Sequence, residues 1–284
     1  MAHSVVPEAE AILDEEFPVL DKGFVRLVDY LGGDDRIVQS ARVSYGKGTK
    51  TVRQDRGLIH YLMRNRHTSP FEQVILTFHT KMPIFVARQW VRHRTARLNE
   101  ISGRYSVMED EFYVPKEEDI SAQAVDNKQG RDNEPLPADL VEHIQAQLVE
   151  GQRAGYQAYE ALLETGLARE LARINLPISL YTQWYWQVDL HNLFHFLELR
   201  LDPHAQYEIR AYAEVMLDMA EKVAPIATQA FREHVLGGTH FSAGEYEVVR
   251  ALAAGEEFEK AVERAGITGK PLERLRAKLF RAEA

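Results

Sequence analysis

The amino-acid sequence predicts a mixed α/β fold, because strand-like and helix-like periodicities occur in the same chain. Residues 24–30 alternate between apolar and polar side chains, and the stretch 74–79 places Val74, Leu76 and Phe78 on one face. Residues 140–163 instead form a long amphipathic segment with helical spacing. The chain has 284 residues, of which 45% are hydrophobic and 27% charged, so it is expected to form one large or two small globular domains.

Turns, caps and prolines set the predicted element boundaries in the first half of the chain. The strand at 24–30 ends at a Gly-Gly-Asp-Asp turn, after which Asp35 is expected to cap a helix reaching about residue 43. A helix is predicted at 55–65, and Pro83 is expected to stop the second strand. Because proline is favourable in the first turn of a helix, the next helix is predicted at about 84–94.

The second half is predicted to be helical, with one polar interruption before it. Segment 116–137 is polar and is interpreted as an exposed insertion or lid. Residues 181–199 are aromatic and hydrophobic nearly all round, which indicates a helix buried in the core or in an interface. The glycine-punctuated stretch 236–284 is interpreted as an accessory helical tail. The helices expected before it lie at 140–163, 168–174, 181–199 and 203–223.

Composition argues against several classes of chemistry. The chain contains no cysteine, so it has no disulfide, no thiolate metal site and no cysteine nucleophile. Its formal net charge of -9 argues against binding of a nucleic-acid polymer. No stretch of about 18 apolar residues predicts a membrane span. The acidic residues 1–17 do not resemble a secretory signal, so a cytoplasmic location is expected.

Five arginines fall within residues 88–104, and they indicate a pocket for an anionic ligand. A guanidinium group can bind an oxyanion through two parallel hydrogen bonds, and an anion would relieve the mutual repulsion of the cluster. On the predicted helix, Arg88 and Arg92 lie four residues apart, as do Gln89 and His93, and both pairs face a common ligand if the helix lines a pocket. A solvated basic helix face is the alternative. The five are Arg88, Arg92, Arg94, Arg97 and Arg104.

Further candidate residues lie in the second half. His191 and His195 are four apart with Glu198 close behind, which is a metal-ligand spacing, but no glutamate directly follows His191 as a zinc protease would require. Two histidines lining a pocket for another ligand are therefore favoured over a metal site, and hydrogen-bonded histidines of the core are the alternative. Arg200 follows this segment either as a helix-end charge or as a functional cation. Arg173 stands in an apolar stretch, where burial would demand an anionic partner.

Four separated motifs resemble the flavin-dependent thymidylate synthases. The first is Arg-Gln-Trp-Val-Arg-His-Arg at 88–94, continued by Asn-Glu-Ile-Ser-Gly-Arg-Tyr at 99–105. The others are His-Thr-Ser-Pro-Phe-Glu at 67–72, Leu-Ala-Arg at 171–173 with the following Pro, Tyr and Thr, and Leu-Arg at 199–200 with His-Ala-Gln at 204–206. The motifs stand in the family's order and together cover about residues 22–235. The lack of cysteine agrees, because classical thymidylate synthases attack uracil with a cysteine.

The resemblance implies a mixed, largely antiparallel sheet flanked by helices, with a helical part. It implies one domain over 1–235, interrupted by the insertion 116–137, with the tail 236–284 outside it. It further implies a homotetramer with active sites between subunits, and methylation of dUMP to dTMP. Methylenetetrahydrofolate would supply the carbon, FAD would carry hydride and NADPH would be the reductant. No nucleic-acid polymer and no membrane would be partners.

The resemblance also implies roles for individual residues. Arg200 looks like the catalytic residue that polarises the uracil and favours ionisation at N3, where a cation would stabilise developing negative charge. Arg97 stands where the family motif usually has serine, and Asp189 and His195 stand where relatives can carry asparagine. The implied dUMP-binding set is Gln89, Arg92, Glu100, Ser102, Gly103, Arg104, Arg173 and Arg200. The implied FAD-binding set is His67, Ser69, Arg92, His93, Arg94, Glu100, Asp189, His191 and His195.

Two other functions fit the same residues when the resemblance is set aside. A metal-dependent hydrolase would use His191, His195 and Glu198, and metal analysis of the purified protein would reveal it. A non-catalytic module that binds anions or RNA would use the arginine cluster, and would bind generic RNA in a strongly salt-dependent way.

Overall fold

The computed structural model describes residues 5–43, 52–124 and 130–280, which divide into two compact units, Met1–Phe231 and Arg232–Ala284. The first unit contains a five-stranded sheet in the order β1-β2-β3-β7-β4, with every neighbouring pair antiparallel. The predicted mixed fold with a largely antiparallel sheet is confirmed. The strands are β1 Glu16–Val19, β2 Gly23–Leu31, β3 Ile75–Pro83, β4 Arg97–Glu100, β5 Ser121–Gln123, β6 Arg131–Pro135 and β7 Tyr181–Asp189.

Helices pack against this sheet, and several lie where the sequence predicts them. The helix expected at 140–163 is observed as α5, and the helix expected at 55–65 as α3. The helix expected at 168–174 is a single turn, α6, followed by a 3-10 turn at Arg173–Asn175. The helices of the first unit are α1 Pro7–Glu10, α2 Asp34–Arg42, α3 Val52–Arg64, α4 Ile84–Trp90, α5 Ala138–Glu164, α6 Arg169–Ala172, α7 Leu190–Arg200, α8 Tyr207–Val223 and α9 Pro225–Phe231.

The prediction of one helix over 181–199 is wrong in its first half. Residues 181–189 form the inner strand β7, which pairs with β3 on one side and β4 on the other. Trp184, Trp186 and Val188 alternate onto the buried face, while Tyr185 between them is exposed. Aromatic side chains favour a strand, and buried and less buried residues alternate along β7 with its period of two. The prediction failed because the exposed position also carries an aromatic side chain and the helix α7 that follows is rich in apolar residues.

The helix predicted at 84–94 is shorter than expected. It ends at Trp90, and the following residues turn toward the edge strand β4, which was not predicted from the sequence. The predicted shared helical stripe of Gln89 and His93 is therefore wrong, as is that of Arg88 and Arg92. The turn is needed because β4 pairs in an extended conformation with β7.

Two other predicted helix starts are displaced. Gly33 is the N-cap of α2, and the expected capping residue Asp35 lies inside the first turn. The neighbouring Asp34 instead accepts hydrogen bonds from the backbone N–H groups of Ile226 and Ala227, at 2.8 and 2.9 Å, and so caps the start of α9. Helix α8 begins at Tyr207 rather than at Pro203.

An aromatic cluster fixes the end of α4 against the sheet. Trp90 is fully buried, meets Trp184 and Trp186 edge-on, and stacks on Phe196 with 4.9 Å between ring centroids. Tyr212 of α8 completes the cluster at 5.9 Å. Such rings bury large apolar areas, so packing holds Trp90 in place. The arginine-rich turn that follows Trp90 therefore begins at a fixed position.

The segment 116–137 contains a 3-10 turn and an antiparallel hairpin of β5 and β6. Most of its described residues are exposed, and Ile120 is buried. The stretch Asn-Lys-Gln-Gly at 127–130, whose composition predicts a turn, lies largely outside the described residues. We call the paired strands β5 and β6 the hairpin.

The second unit is helical and has its own small core. Its helices α10 Ala243–Ala253, α11 Phe258–Ala265 and α12 Lys270–Phe280 follow a π-helical turn at Arg232–Leu236. They pack around Val248, Ala251, Ala261, Val262 and Leu275. Across both units, none of the described helices has the length and apolar character that crossing a bilayer requires.

Candidate functional site

The arginine-rich turn after α4 and the helix α7 enclose a cavity of about 270 Å³, which we call the His93 cavity. Helix α7 is positioned by Asp189, whose carboxylate accepts from the backbone N–H of Asn192 at 2.9 Å and from its side-chain amide at 2.8 Å. No carboxylate is among the described residues that line the cavity. Its polar lining residues are Arg92, His93, Arg94, Thr95, Asn192, His195 and Arg200.

Arg200 is the most constrained cation of this cavity. Its Nε donates a hydrogen bond to Nε2 of His93 at 3.0 Å, and a terminal nitrogen donates to the backbone carbonyl of Gln89 at 3.4 Å. Burial and the charge of Arg92 lower the pKa of Arg200 from its usual value. The guanidinium therefore lies in an environment that already carries positive charge, which an anion or an electron-rich ring would relieve.

His93 accepts this hydrogen bond because it is held in its neutral form. Burial, then the charge of Arg200, then the neighbouring His195, lower the pKa of His93 to about 4. The rings of His93 and His195 lie 5.9 Å apart, and Phe196 packs edge-on against His93 at 4.9 Å. A neutral imidazole offers one acceptor nitrogen, so His93 can orient Arg200 without adding charge.

We expect the protein to lose stability through His93 as the pH falls from about 6.5 to about 4. In this window the unfolded chain binds a proton at this imidazole and the folded protein does not, so the free energy of unfolding decreases as the pH falls. Urea unfolding of the wild-type protein and of His93→Gln, measured at several pH values in this window, checks the expectation. The variant should show a shallower pH dependence, and equal slopes for both proteins would contradict it.

A second cavity of about 270 Å³ is lined by residues that follow β4 and by the α6 region, and we call it the Arg173 cavity. Glu100 lines it and accepts a hydrogen bond from the hydroxyl of Thr182 at 2.6 Å. Gly103 also lines it, and a Cβ atom there would stand 2.9 Å from Met108 Sδ and 3.0 Å from Arg173 Cδ. Glycine therefore lets the backbone approach the exposed Arg173 closely.

Ser102 and Arg104 flank this cavity without being part of its lining. The backbone N–H of Arg104 donates to the hydroxyl of Ser102 at 3.3 Å. The guanidinium of Arg104 lies 2.9 Å from the carboxylate of Glu170, and both side chains of this pair are largely exposed. The ion pair is therefore open to water and exchangeable.

The remaining predicted site residues lie outside the two linings. His67 and Ser69 lie in the loop after α3, where the ring of His67 packs edge-on against Tyr61 at 5.7 Å. His191 is half-buried on the first turn of α7. Among the residues that the structure describes, His191, His195 and Glu198 do not gather ligand atoms within 4.8 Å of one another, so they form no compact metal-ligand set.

Sequence reasoning missed some residues of both cavities. Asn192 and the side chains of β7 were not predicted as lining residues, because 181–199 was predicted to be a single helix. The signal for Asn192 was its position three residues after Asp189, which is the spacing of a helix cap. Arg97, which departs from the family motif, donates to the side-chain amide oxygen of Gln187 at 3.3 Å on the adjoining strand.

Comparisons with known proteins identify the family of this chain. A family model described as "Thymidylate synthase complementing protein" matches residues 26–226. A flavin-dependent thymidylate synthase of Treponema denticola is 61% identical over 267 residues, which cover 94% of this chain and 98% of the relative. The chain belongs to the flavin-dependent thymidylate synthase family. The resemblance stated from the four motifs is thereby confirmed.

Other members of the flavin-dependent thymidylate synthase family agree with this assignment. A protein of that name from Thermus thermophilus is 55% identical over 263 residues, covering 93% of this chain and 95% of the relative. A solved structure titled as a UMP/dUMP methylase, PolB from Streptomyces cacaoi bound with 5-Br dUMP, has a TM-score of 0.70 and 34% sequence identity. The match covers 77% of this chain and 98% of that chain. The chain is therefore an enzyme, and the alternative of a non-catalytic module that binds anions or RNA is wrong.

Proposed function

We propose that this enzyme methylates dUMP to dTMP, with methylenetetrahydrofolate as carbon donor, NADPH as reductant and FAD as the bound flavin. The observation that carries this proposal is the oriented guanidinium of Arg200, held by the neutral His93 in a cavity lined by cations. The relatives named flavin-dependent thymidylate synthase and the dUMP-analogue complex of PolB support the same reaction.

The donors of the His93 cavity fit the pyrophosphate of FAD. Arg92 and Arg94 are cations of the lining that can bind phosphate oxygens through charge-assisted hydrogen bonds. His93, Asn192 and His195 add ring and amide nitrogens, and no carboxylate among the described lining residues would repel the anion. When bound, the flavin supplies the hydride chemistry that no side chain of this chain can perform. His67, Ser69, Glu100, Asp189 and His191 complete the proposed FAD set.

Arg200 is the proposed catalytic residue. Its contacts with His93 and the Gln89 carbonyl fix the plane of the guanidinium before substrate arrives. A preorganised cation stabilises negative charge on the uracil ring as the base is activated, because it needs no reorganisation at that moment. Its permanent charge also favours ionisation at N3.

The proposed dUMP-binding set is divided between the two cavities of one chain. Arg92 and Arg200 line the His93 cavity, whereas Glu100, Gly103 and Arg173 line the Arg173 cavity, and the two linings share no residue. This division supports an oligomer in which one nucleotide contacts the His93 cavity of one copy and the Arg173 cavity of another. The resemblance to the family implies that this oligomer is a homotetramer. Gln89, Ser102 and Arg104 adjoin these linings.

The direct test is dTMP formation by the purified enzyme supplied with dUMP, methylenetetrahydrofolate and NADPH. The enzyme is first stripped of flavin and then assayed with and without added FAD. We expect dTMP only when FAD is present. Folded, FAD-loaded enzyme that forms no dTMP would contradict the proposed reaction while leaving the family assignment intact.

Arg104→Ala is expected to weaken dUMP binding by about 1.5–3 kcal/mol, the range for a hydrogen bond to a charged group. The guanidinium now pairs with Glu170 in solvent, so a substrate phosphate can replace that partner at little cost. Calorimetric titration of the FAD-bound enzyme with dUMP measures the change. Arg169→Ala is the matched control, since this nearby exposed arginine donates to the carbonyl of Tyr105. An unchanged dUMP affinity in Arg104→Ala would remove Arg104 from the set.

A further inference from the structure

Glu208, at the start of α8, is a buried carboxylate, and its contacts have no part in the proposed reaction so far. Its side chain is 2% exposed. One of its oxygens accepts from the guanidinium of Arg131 and from the hydroxyl of Tyr113, the latter at 3.2 Å. Its other oxygen accepts from the side-chain amide of Gln206 at 2.8 Å. A buried charge with three donors on it is costly to assemble, so its contacts indicate a specific role.

The direction of these hydrogen bonds fixes the amide of Gln206. A carboxylate can only accept, so Gln206 must turn its Nε2 toward Glu208. Its Oε1 then points the other way and accepts from Nε2 of Gln89. Burial and the negative charge of Glu208 raise the pKa of Tyr113, which keeps the Tyr113 hydroxyl a donor to the same carboxylate.

Gln89 lies where this chain of contacts reaches the nucleotide site. Its side chain is held by Gln206, and its backbone carbonyl accepts from Arg200. Without Gln206, the amide group of Gln89 could rotate by half a turn and exchange donor and acceptor. The contact with Gln206 selects one of these two orientations, and with it the group presented to a bound base.

The other end of the chain of contacts is the hairpin. Arg131 is the first residue of β6, its side chain is 38% exposed, and it also donates to the carbonyl of Asp119 at 3.0 Å. The hairpin is therefore joined to α8 by the ion pair of Arg131 with the buried carboxylate of Glu208. We call the series Arg131–Glu208–Gln206–Gln89 the relay. It connects the hairpin with the proposed nucleotide site at Gln89.

We propose that Glu208 and Gln206 are positioning residues that set the amide orientation of Gln89 for dUMP, and that the hairpin holds them in place through Arg131. This inference rests on the proposed function, because it assumes that Gln89 contacts the nucleotide. The relay acts on substrate affinity and touches no reacting atom.

Two variants and their combination separate positioning from a structural ion pair. Glu208→Gln keeps the side-chain size but can donate to Gln206, so the amide orientation of the relay is no longer fixed. The dissociation constant of dUMP for the FAD-bound enzyme is expected to rise about tenfold, the loss of one well-oriented hydrogen bond. Arg131→Met leaves the carboxylate without its cation, so both the thermal midpoint and the dUMP affinity should fall.

The double variant Arg131→Met/Glu208→Gln gives the decisive comparison. Without either charge, no unpaired carboxylate is buried at position 208. The thermal midpoint is therefore expected to return toward that of the wild type. The dUMP affinity should stay about tenfold weaker, because Gln206 still lacks a partner that only accepts. A purely structural ion pair would restore stability and affinity together.

Lys116→Met is the matched control, since it removes a cation from the same insertion whose pair with Glu118, at 3.9 Å, is exposed. Both its stability and its dUMP affinity should equal those of the wild type. Wild-type affinity in Glu208→Gln, or recovered affinity in the double variant, would overturn the relay. Wild-type enzyme that binds FAD but not dUMP would instead contradict the proposed function itself.

Discussion

Arg200→Ala is expected to lower kcat for dTMP formation by about 10²–10³, the usual loss when one preorganised electrostatic group is removed from an active site. The replacement deletes the charge proposed to stabilise the uracil ring. It leaves Arg92, Arg94 and the amide of Asn192 to hold the flavin. We therefore expect the purified variant to keep its FAD, measured from the visible absorption. Assays with dUMP should show the lower rate of dTMP formation.

Two further variants test whether the lower rate comes from the charge and geometry of Arg200 itself. Arg200→Lys keeps a positive charge but loses the planar fork that donates both to His93 and to the Gln89 carbonyl, so it should recover only part of the rate. Arg210→Ala removes another helix arginine, which donates to the carbonyl of Pro203, and should behave as wild type. Loss of FAD from Arg200→Ala with normal turnover per bound flavin would assign Arg200 to cofactor binding instead.

The sequence predicts those parts of the fold that local periodicity determines. The alternation at 24–30 and 74–79 became β2 and β3, and the amphipathic stretch 140–163 became α5 with two more residues at its start and one at its end. In each case one face is more buried than the other, so the apolar residues recur with the period of the strand or helix. Strand β7 has the same alternation, with Trp184, Trp186 and Val188 buried and Tyr185 exposed. Its aromatic side chains and the apolar residues of α7 that follow it led to the prediction of one buried helix instead.

The sequence predicts a cavity lined by cations but not how the cavity is built. Two of the five clustered arginines, Arg92 and Arg94, line the His93 cavity, and the motif resemblance correctly named the family. The end of α4 at Trp90 depends on the pairing of β4 with β7, a contact between residues about 90 positions apart in sequence. The same holds for the Arg131–Glu208 pair, where 77 residues separate the partners. Such contacts have no local signal.

Mixing two inactive variants is expected to restore activity if the site lies between subunits. Arg200→Ala damages the His93 cavity and Arg173→Ala damages the Arg173 cavity, which belong to separate linings of one chain. When chains of the two variants assemble, some shared sites contain both substitutions and others contain neither. Random assembly of equal amounts in a symmetric oligomer leaves about one quarter of the sites intact. Steady-state dTMP formation by the mixture, after subunit exchange confirmed by tag co-purification, measures this fraction.

The double variant Arg200→Ala/Arg173→Ala supplies the matched control. Mixed in equal amounts with wild-type chains, it should again leave about one quarter of the sites intact if each site draws on two copies, and about one half if each site lies within one chain. The two mixtures together separate a shared site from a simple effect of dilution. If Arg200 and Arg173 serve a site within one chain, the two single variants will exchange subunits and stay as inactive together as they are apart.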